Sequence, residues 1–290
     1  MKTSLRVAIL ILTVAAISPL LAQWKPYPTP GVPKTATGAP NLTAPAPRTA
    51  DGKPDLSGIW QNGRGGAPTP GLPVPEARGA PAAPAVAAAP EAGPPAASFA
   101  NVGVGFKDGL PLQPWAAELV KKRTADFSKD NPDAHCLPMG FMQFHTHPEP
   151  RKIIQTPGVT LIIYEANSGL RQIFTDGRPL PGKDAQPWWY GYSIGKWEGD
   201  TLVVETTGFL DTDPQWLDIR GSPLTEAAKV TERFRRVNYG TLEIEVTVDD
   251  PKAYTKPWTV KVTQRVMLDT ELIEFICEDR DATHYIGAAK

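Results

Sequence analysis

From residue 151 onward the chain alternates between short runs of β-branched or aromatic residues and clusters of turn formers. In 241–248, Leu242, Ile244, Val246 and Val248 share one face of an extended chain and Thr241, Glu243, Glu245 and Thr247 the other. That period of two marks a strand with one side in a core and one in water. Trp258, Val260, Val262 and Val266 repeat the pattern against Thr259, Lys261, Thr263 and Arg265. Residues 159–164 are apolar on both faces, which predicts a strand covered on its outer side, under a helix. Together the runs predict strands at 152–156, 159–166, 170–175, 190–197, 201–207, 229–237, 241–248, 258–267 and 272–277. NSG, EGD and NYG connect neighbours closely enough for hairpins, and strands joined that tightly are antiparallel. The expected fold is all-β: an antiparallel meander closing into a barrel.

Only 113–128 reads as a helix, with Pro114 suited to its first turn and Trp115, Leu119 and Phe127 near helical spacing. The next stretch, NPDAHCLPMGFMQFHTHPEP at 131–150, carries too many prolines and glycines for regular structure.

Residues 24–100 break the pattern altogether. Proline makes up 17 of these 77 positions, among Ala, Gly and Thr. Such a segment lacks amide donors and buries little apolar area, so 23–100 is expected to be a flexible, partly polyproline-like extension. PDLSGIWQN, at 54–62, is the exception and is read as a strand docked on the domain that follows at 101–290. The Pro-rich tract also offers a docking segment to a protein partner. Ahead of it, MKTSLRVAILILTVAAISPLLAQ places Lys2 and Arg6 before an apolar run that ends near Ala22, the order of a cleaved signal peptide at 1–22. The expected location is therefore the periplasm or the exterior.

Composition narrows the partners. The 290 residues carry 30 basic and 31 acidic side chains, a formal net charge of −1, without the basic excess of a nucleic-acid binder. After the signal no segment approaches a membrane span.

Ser57-Gly58-Ile59-Trp60 at the head of a meander resembles the Gly-x-Trp signature on the first strand of lipocalins and the wider calycin barrels. The resemblance implies a Trp closing one barrel end with a late Arg, Arg265 or Arg280, packed across it, and a small apolar molecule as ligand. The long insertion that follows departs from the family pattern. PDLSGIW, CLPMGFMQFHTHPEPRKIIQTPG, YEANSGLRQIFTDGRPLP, WWYGYSIGKWEGDTLVVETTGF and EIEVTVDDPKAYTKPWTV also resemble an abundant group of uncharacterised exported bacterial proteins, a likeness that names no activity.

Three sets of residues bear on chemistry. Cys136 and Cys277 are the only cysteines, and two alone in an oxidising compartment read as a disulfide; the alternatives are separate small core residues or a ligating pair. In His145-Thr146-His147-Pro148-Glu149, an extended chain would bring His145, His147 and Glu149 to one face as ligands of a divalent transition metal, completed by His135 or His284. The bland reading is a loop whose imidazoles bond to backbone or water. The third set is aromatic and charged: Trp188, Trp189, Tyr190, Tyr192, Trp197, Phe209 and Trp216 with Glu205, Glu232, Arg233, Arg235, Glu243 and Glu245. Trp189, Tyr192 and Trp197 at a barrel mouth, with Arg233 and Glu245 as orienting charges, would suit a flat apolar ligand. No phosphate loop or Gly-x-Ser-x-Gly elbow occurs. The expectation is a ligand-binding protein, with a metal-dependent enzyme built on His145 and His147 as the alternative.

Overall fold

A computed structural model describes residues 27–63, 93–182, 184–210 and 215–273. Its strands are β1 Gly58–Asn62, β2 Arg151–Thr156, β3 Val159–Tyr164, β4 Leu170–Phe174, β5 Tyr192–Glu198, β6 Thr201–Thr207, β7 Gln215–Trp216, β8 Pro223–Leu224, β9 Lys229–Asn238, β10 Thr241–Asp249 and β11 Trp258–Met267. Nine of them close a barrel in the order β1-β11-β10-β9-β6-β5-β4-β3-β2, with β1 paired to both β11 and β2. The remaining two, β7 and β8, form a separate two-residue ribbon.

The hairpins arise where the turn residues stand. Pro157-Gly158 joins β2 to β3, and Gly158 takes φ +82, a conformation in which a side chain would be strained. The Tyr239-Gly240 turn joins β9 to β10 with a register shift at Thr241/Leu242. One pairing departs from the expected meander: β4 and β5 are parallel, with Ile173 opposite Ser193 and Phe174 opposite Ile194. The 175–191 connection is long enough to return the chain to the end where β4 began, so β5 runs in the same direction. The barrel is mixed.

Alternation sets the interior. Ile153, Ile162, Ile173, Leu202, Val204, Phe234, Leu242, Ile244, Val246, Val260 and Val262 are all buried in one core. At the end bearing the β2–β3, β5–β6 and β9–β10 hairpins, Trp60 is fully buried and its Nε1–H donates to the Leu56 carbonyl at 3.0 Å. A late arginine does pack across it, but it is Arg236, whose guanidinium carbon lies 4.8 Å from the ring. Arg236 follows the inward parity of β9. Arg265 instead hydrogen-bonds Thr241 at 2.5 Å on an outward position, and Arg280 lies outside the described residues.

The segment before β1 is more than a docked strand. Residues 27–57 run across this closed end: Thr29 and Asp269 exchange two hydrogen bonds, the Leu42 and Ala44 carbonyls accept from Gly240 and Tyr239, and Arg48 forks onto Asp200. A proline-rich chain lacks donors but keeps its carbonyls, and a hairpin turn has spare N–H groups to meet them. After the undescribed stretch 64–92, residues 95–97 extend the β11 edge beyond β1, with the Pro95 carbonyl and the Ala97 N–H on Lys261.

Helix α1, Pro114–Ala125, falls where the spacing predicts. It packs on the connections at 216–222 and 250–254, through Arg123 over the Trp216 ring and Trp115 Nε1–H on the Lys252 carbonyl, instead of over β3. The region 131–150 is not irregular throughout. It contains a 3-10 turn, Pro132–His135, and a second helix, α2, Phe141–Thr146, seated at the other end of the barrel. The predicted strand at 272–277 is not formed at 272–273, and its remainder lies outside the described residues, as does the expected signal peptide. Among the described residues no helix is long and apolar enough to cross a membrane.

Candidate functional site

All six residues of α2 are buried, so this helix is surrounded and lies within the barrel end instead of resting on it. Its limits follow from the sequence. Gly140 is the N-cap, and its N–H is answered by the Gln143 side chain at 2.9 Å. A β-carbon on Gly140 would land on the Trp216 carbonyl, so only glycine allows this approach. At the far end His147 is extended, at φ −60 and ψ 143, as a residue preceding proline prefers.

His145 projects from α2 onto Glu232 of β9, with Nε2 and Oε1 2.7 Å apart and both side chains buried. On the other side of the carboxylate is Arg171 of β4, whose Nη1 donates to Glu232 Oε1 at 2.8 Å and whose Nη2 donates to Oε2. The same guanidinium reaches Ser193 Oγ and Thr206 Oγ1, each at 3.0 Å from Nη2, and those hydroxyls lie 2.9 Å apart. Tyr164 of β3 stands beside the same guanidinium, its phenol pushed up to about 12 by burial. A charged chain thus crosses the barrel from β3 and β4 to β9 and α2.

Burial alone would raise the Glu232 carboxyl, but the charge and hydrogen bonds of Arg171, with the His145 bond, outweigh it and hold the group down to about 2. Burial lowers His145 despite Glu232, which keeps the imidazole neutral. An ionised carboxylate only accepts, so the imidazole proton is on Nε2 and Nδ1 carries a lone pair. That Nδ1 is buried and has no partner, as are Arg151 Nε and Gln264 Oε1 close by. Arg151 is otherwise fully used: its guanidinium donates to the carbonyls of His145, His147 and Glu149 at 2.7, 2.8 and 2.9 Å.

At the rim beside this end the 175–191 connection, the end of β6 and the start of β9 enclose an open cleft of about 650 Å³. Trp188 and Phe209 supply its aromatic surface, Pro181, Pro187 and Ala228 further apolar surface, and Glu226 and Lys229 its charged edge. The indole of Trp188 is 39% exposed, whereas Phe209 is buried as its floor. Next to the cleft Tyr192 lies against Trp188 at 5.0 Å and stacks on Phe174 at 5.1 Å, and Arg178 covers Phe174 at 3.9 Å.

The structure separates the residues predicted to act together. Tyr192 is near the cleft, but Trp189 turns the other way and donates to the Met139 carbonyl. Trp197 is half-buried and borders a different groove of about 510 Å³ with Ile194 and Val203. Arg233 and Glu245 do not face the interior at all; they are on outward positions of β9 and β10, and Arg233 pairs with Glu198. The extended-chain arrangement expected for the metal ligands is not the one observed, because His145 lies within helix α2, which Thr146 ends. His145 is committed to Glu232, His147 Nδ1 accepts the Glu149 N–H at 3.3 Å with its ring edge-on to Phe99, and burial lowers His147 to about 4. Among the described residues no three His, Cys, Asp or Glu side chains converge as a metal site. Cys136 closes the 3-10 turn at φ 56, and Cys277 lies outside the described residues.

Arg171, Ser193 and Thr206 were missed in the sequence, although a signal for them exists. Each is a polar residue on the inward parity of a strand: Arg171 in step with Ile173 on β4, Thr206 with Leu202 and Val204 on β6, and Ser193 with Gly195 and Trp197 on β5. No protein-family model, curated protein or solved structure matches this chain.

Proposed function

We propose that this is an exported, calycin-like binding protein, one of the uncharacterised bacterial group its motifs resemble, and that it takes a flat apolar small molecule at the rim cleft. The observation that carries the reading is the exposed Trp188, bridged side by side with Phe209 in the lining of a cleft within the size range of small-molecule sites. Helix α2 already fills the adjoining barrel end, which favours the rim over the interior as the first place of contact. Trp60 under Arg236 supports the calycin-like part of the proposal, and the Lys2, Arg6 and apolar-run pattern supports export.

An anilinonaphthalene sulfonate titration tests it. Trp188→Ala should weaken probe binding at least tenfold, while Trp197→Ala, in the other groove, leaves it within twofold. Equal affinities for wild type and Trp188→Ala would remove the cleft as the site.

A further inference from the structure

The side chains of α2 contact the barrel wall in the way a bound molecule would. The Phe144 ring stacks on Tyr164 of β3 at 4.2 Å and 22°. The Phe141 ring lies 4.5 Å from the Arg171 guanidinium and edge-on to Phe209. The His145 N–H bonds Glu232, with Phe234 alongside its ring. The wall therefore offers a stacking surface, a cation facing an aromatic ring, and a carboxylate awaiting an N–H.

We propose that this barrel end is a second binding chamber, for a flat aromatic molecule bearing a ring N–H, and that the segment around α2 occupies it as a built-in surrogate which the molecule displaces. This site shares the Phe209 ring with the rim cleft, from its other side, and does not depend on a ligand there.

Three features make the segment removable. A helix of six residues has little stability of its own and is held by its seat. The seat is imperfect, since His145 Nδ1, Arg151 Nε and Gln264 Oε1 are all buried without partners around it; withdrawal returns the stranded imidazole nitrogen to water. The wall also stands without the helix, because Glu232 keeps its two bonds to Arg171, and Arg171 keeps Ser193 and Thr206. What closes the chamber is Arg151, whose guanidinium grips the three carbonyls at 145, 147 and 149. Pro148 and Pro150 flank that grip and keep the chain from extending the helix.

Indole and N-methylindole are the probes, followed by calorimetry. Indole should bind at least tenfold more tightly than N-methylindole, which has the same ring but no N–H for Glu232. Arg151→Met, which releases the segment and keeps the side-chain bulk, should raise indole affinity at least tenfold, because apparent affinity scales with the open fraction. Saturating indole should speed amide exchange across 141–147 in the wild-type protein, a readout that needs no variant to fold. Trp188→Ala should leave indole affinity within twofold. Equal binding of the two probes, unchanged exchange at 141–147, or loss of indole binding in Trp188→Ala overturns the chamber. The last result would move indole to the rim cleft and leave the proposed function standing.

Discussion

Replacing Arg171 by Met removes, among the described residues, the only cation bonded to Glu232 while keeping most of the side-chain volume. Two lines fix the size of the effect. Glu232 is held at about 2 against an ordinary glutamate of 4.5, a depression equivalent to about 3 kcal/mol of stability at neutral pH. Removing one member of a buried ion pair costs about 3–5 kcal/mol, since the remaining charge stays desolvated. Arg171→Met should therefore lose about 3–5 kcal/mol in urea unfolding at pH 7, followed by far-UV circular dichroism. The pH dependence carries the sharper test. A depressed folded-state carboxyl contributes fully above its unfolded value, and its contribution fades as pH falls from about 4.5 toward 2. In the variant, burial without Arg171 raises the Glu232 carboxyl, so the folded variant takes up a proton and gains relative stability as pH falls from that raised value toward about 4.5, before the wild-type loss sets in. The gap between the two proteins should then shrink by at least about 2 kcal/mol between pH 7 and pH 3. Adding Glu232→Gln to Arg171→Met should recover part of the loss at pH 7 and flatten the profile. A gap that is constant with pH, or below about 1 kcal/mol at pH 7, would refute the claim that this pair is held as ions.

Arg236→Met should destabilise the barrel by about 2–3 kcal/mol, because it removes charged hydrogen bonds to the Asp55, Ser57 and Tyr239 carbonyls and the cover over Trp60; a midpoint unchanged in denaturant would show that the cover is incidental. Denatured, unreduced protein should show no thiol reactive to maleimide at Cys136 or Cys277, as expected of a disulfide; two labels per chain from oxidised material would exclude the bridge.

Most of the barrel was legible because alternation is a local property. Thr201–Thr207 and Trp258–Met267 have the limits their sequence pattern predicts, and the other predicted strands from 152 through 248 differ only at their ends. The parallel β4–β5 pair was not legible, since loop length leaves the direction of return open. Helix α2 was hidden for a different reason. Its residues are enclosed on all sides by other elements, so no amphipathic stripe marks it, and the flanking prolines read as loop. The site residues show the same division. Charge alone points to Arg233 and Glu245, although strict parity with Phe234 and Ile244 places them outside. That same parity points to Glu232, a carboxylate in step with Val230 and Phe234. A charged residue on the apolar rhythm of a strand was the better signal.

The closing strand β1 has a consequence for how the chain acquires its shape. Ile59 pairs with Met267 and Lys152, so the ring is completed only by joining the first strand to β11, the last among the described residues. The β2–β3, β5–β6 and β9–β10 hairpins can form locally as the chain emerges, but the seam cannot be sewn until β11 is available. Until then Trp60 has neither its Arg236 cover nor a barrel to close, and the edges of β2 and β11 are open to any other strand. For a chain made or moved N-terminus first, circularity is thus the final event. The length of chain between β1 and β11 adds little to the entropy of closure, which grows only with the logarithm of loop size.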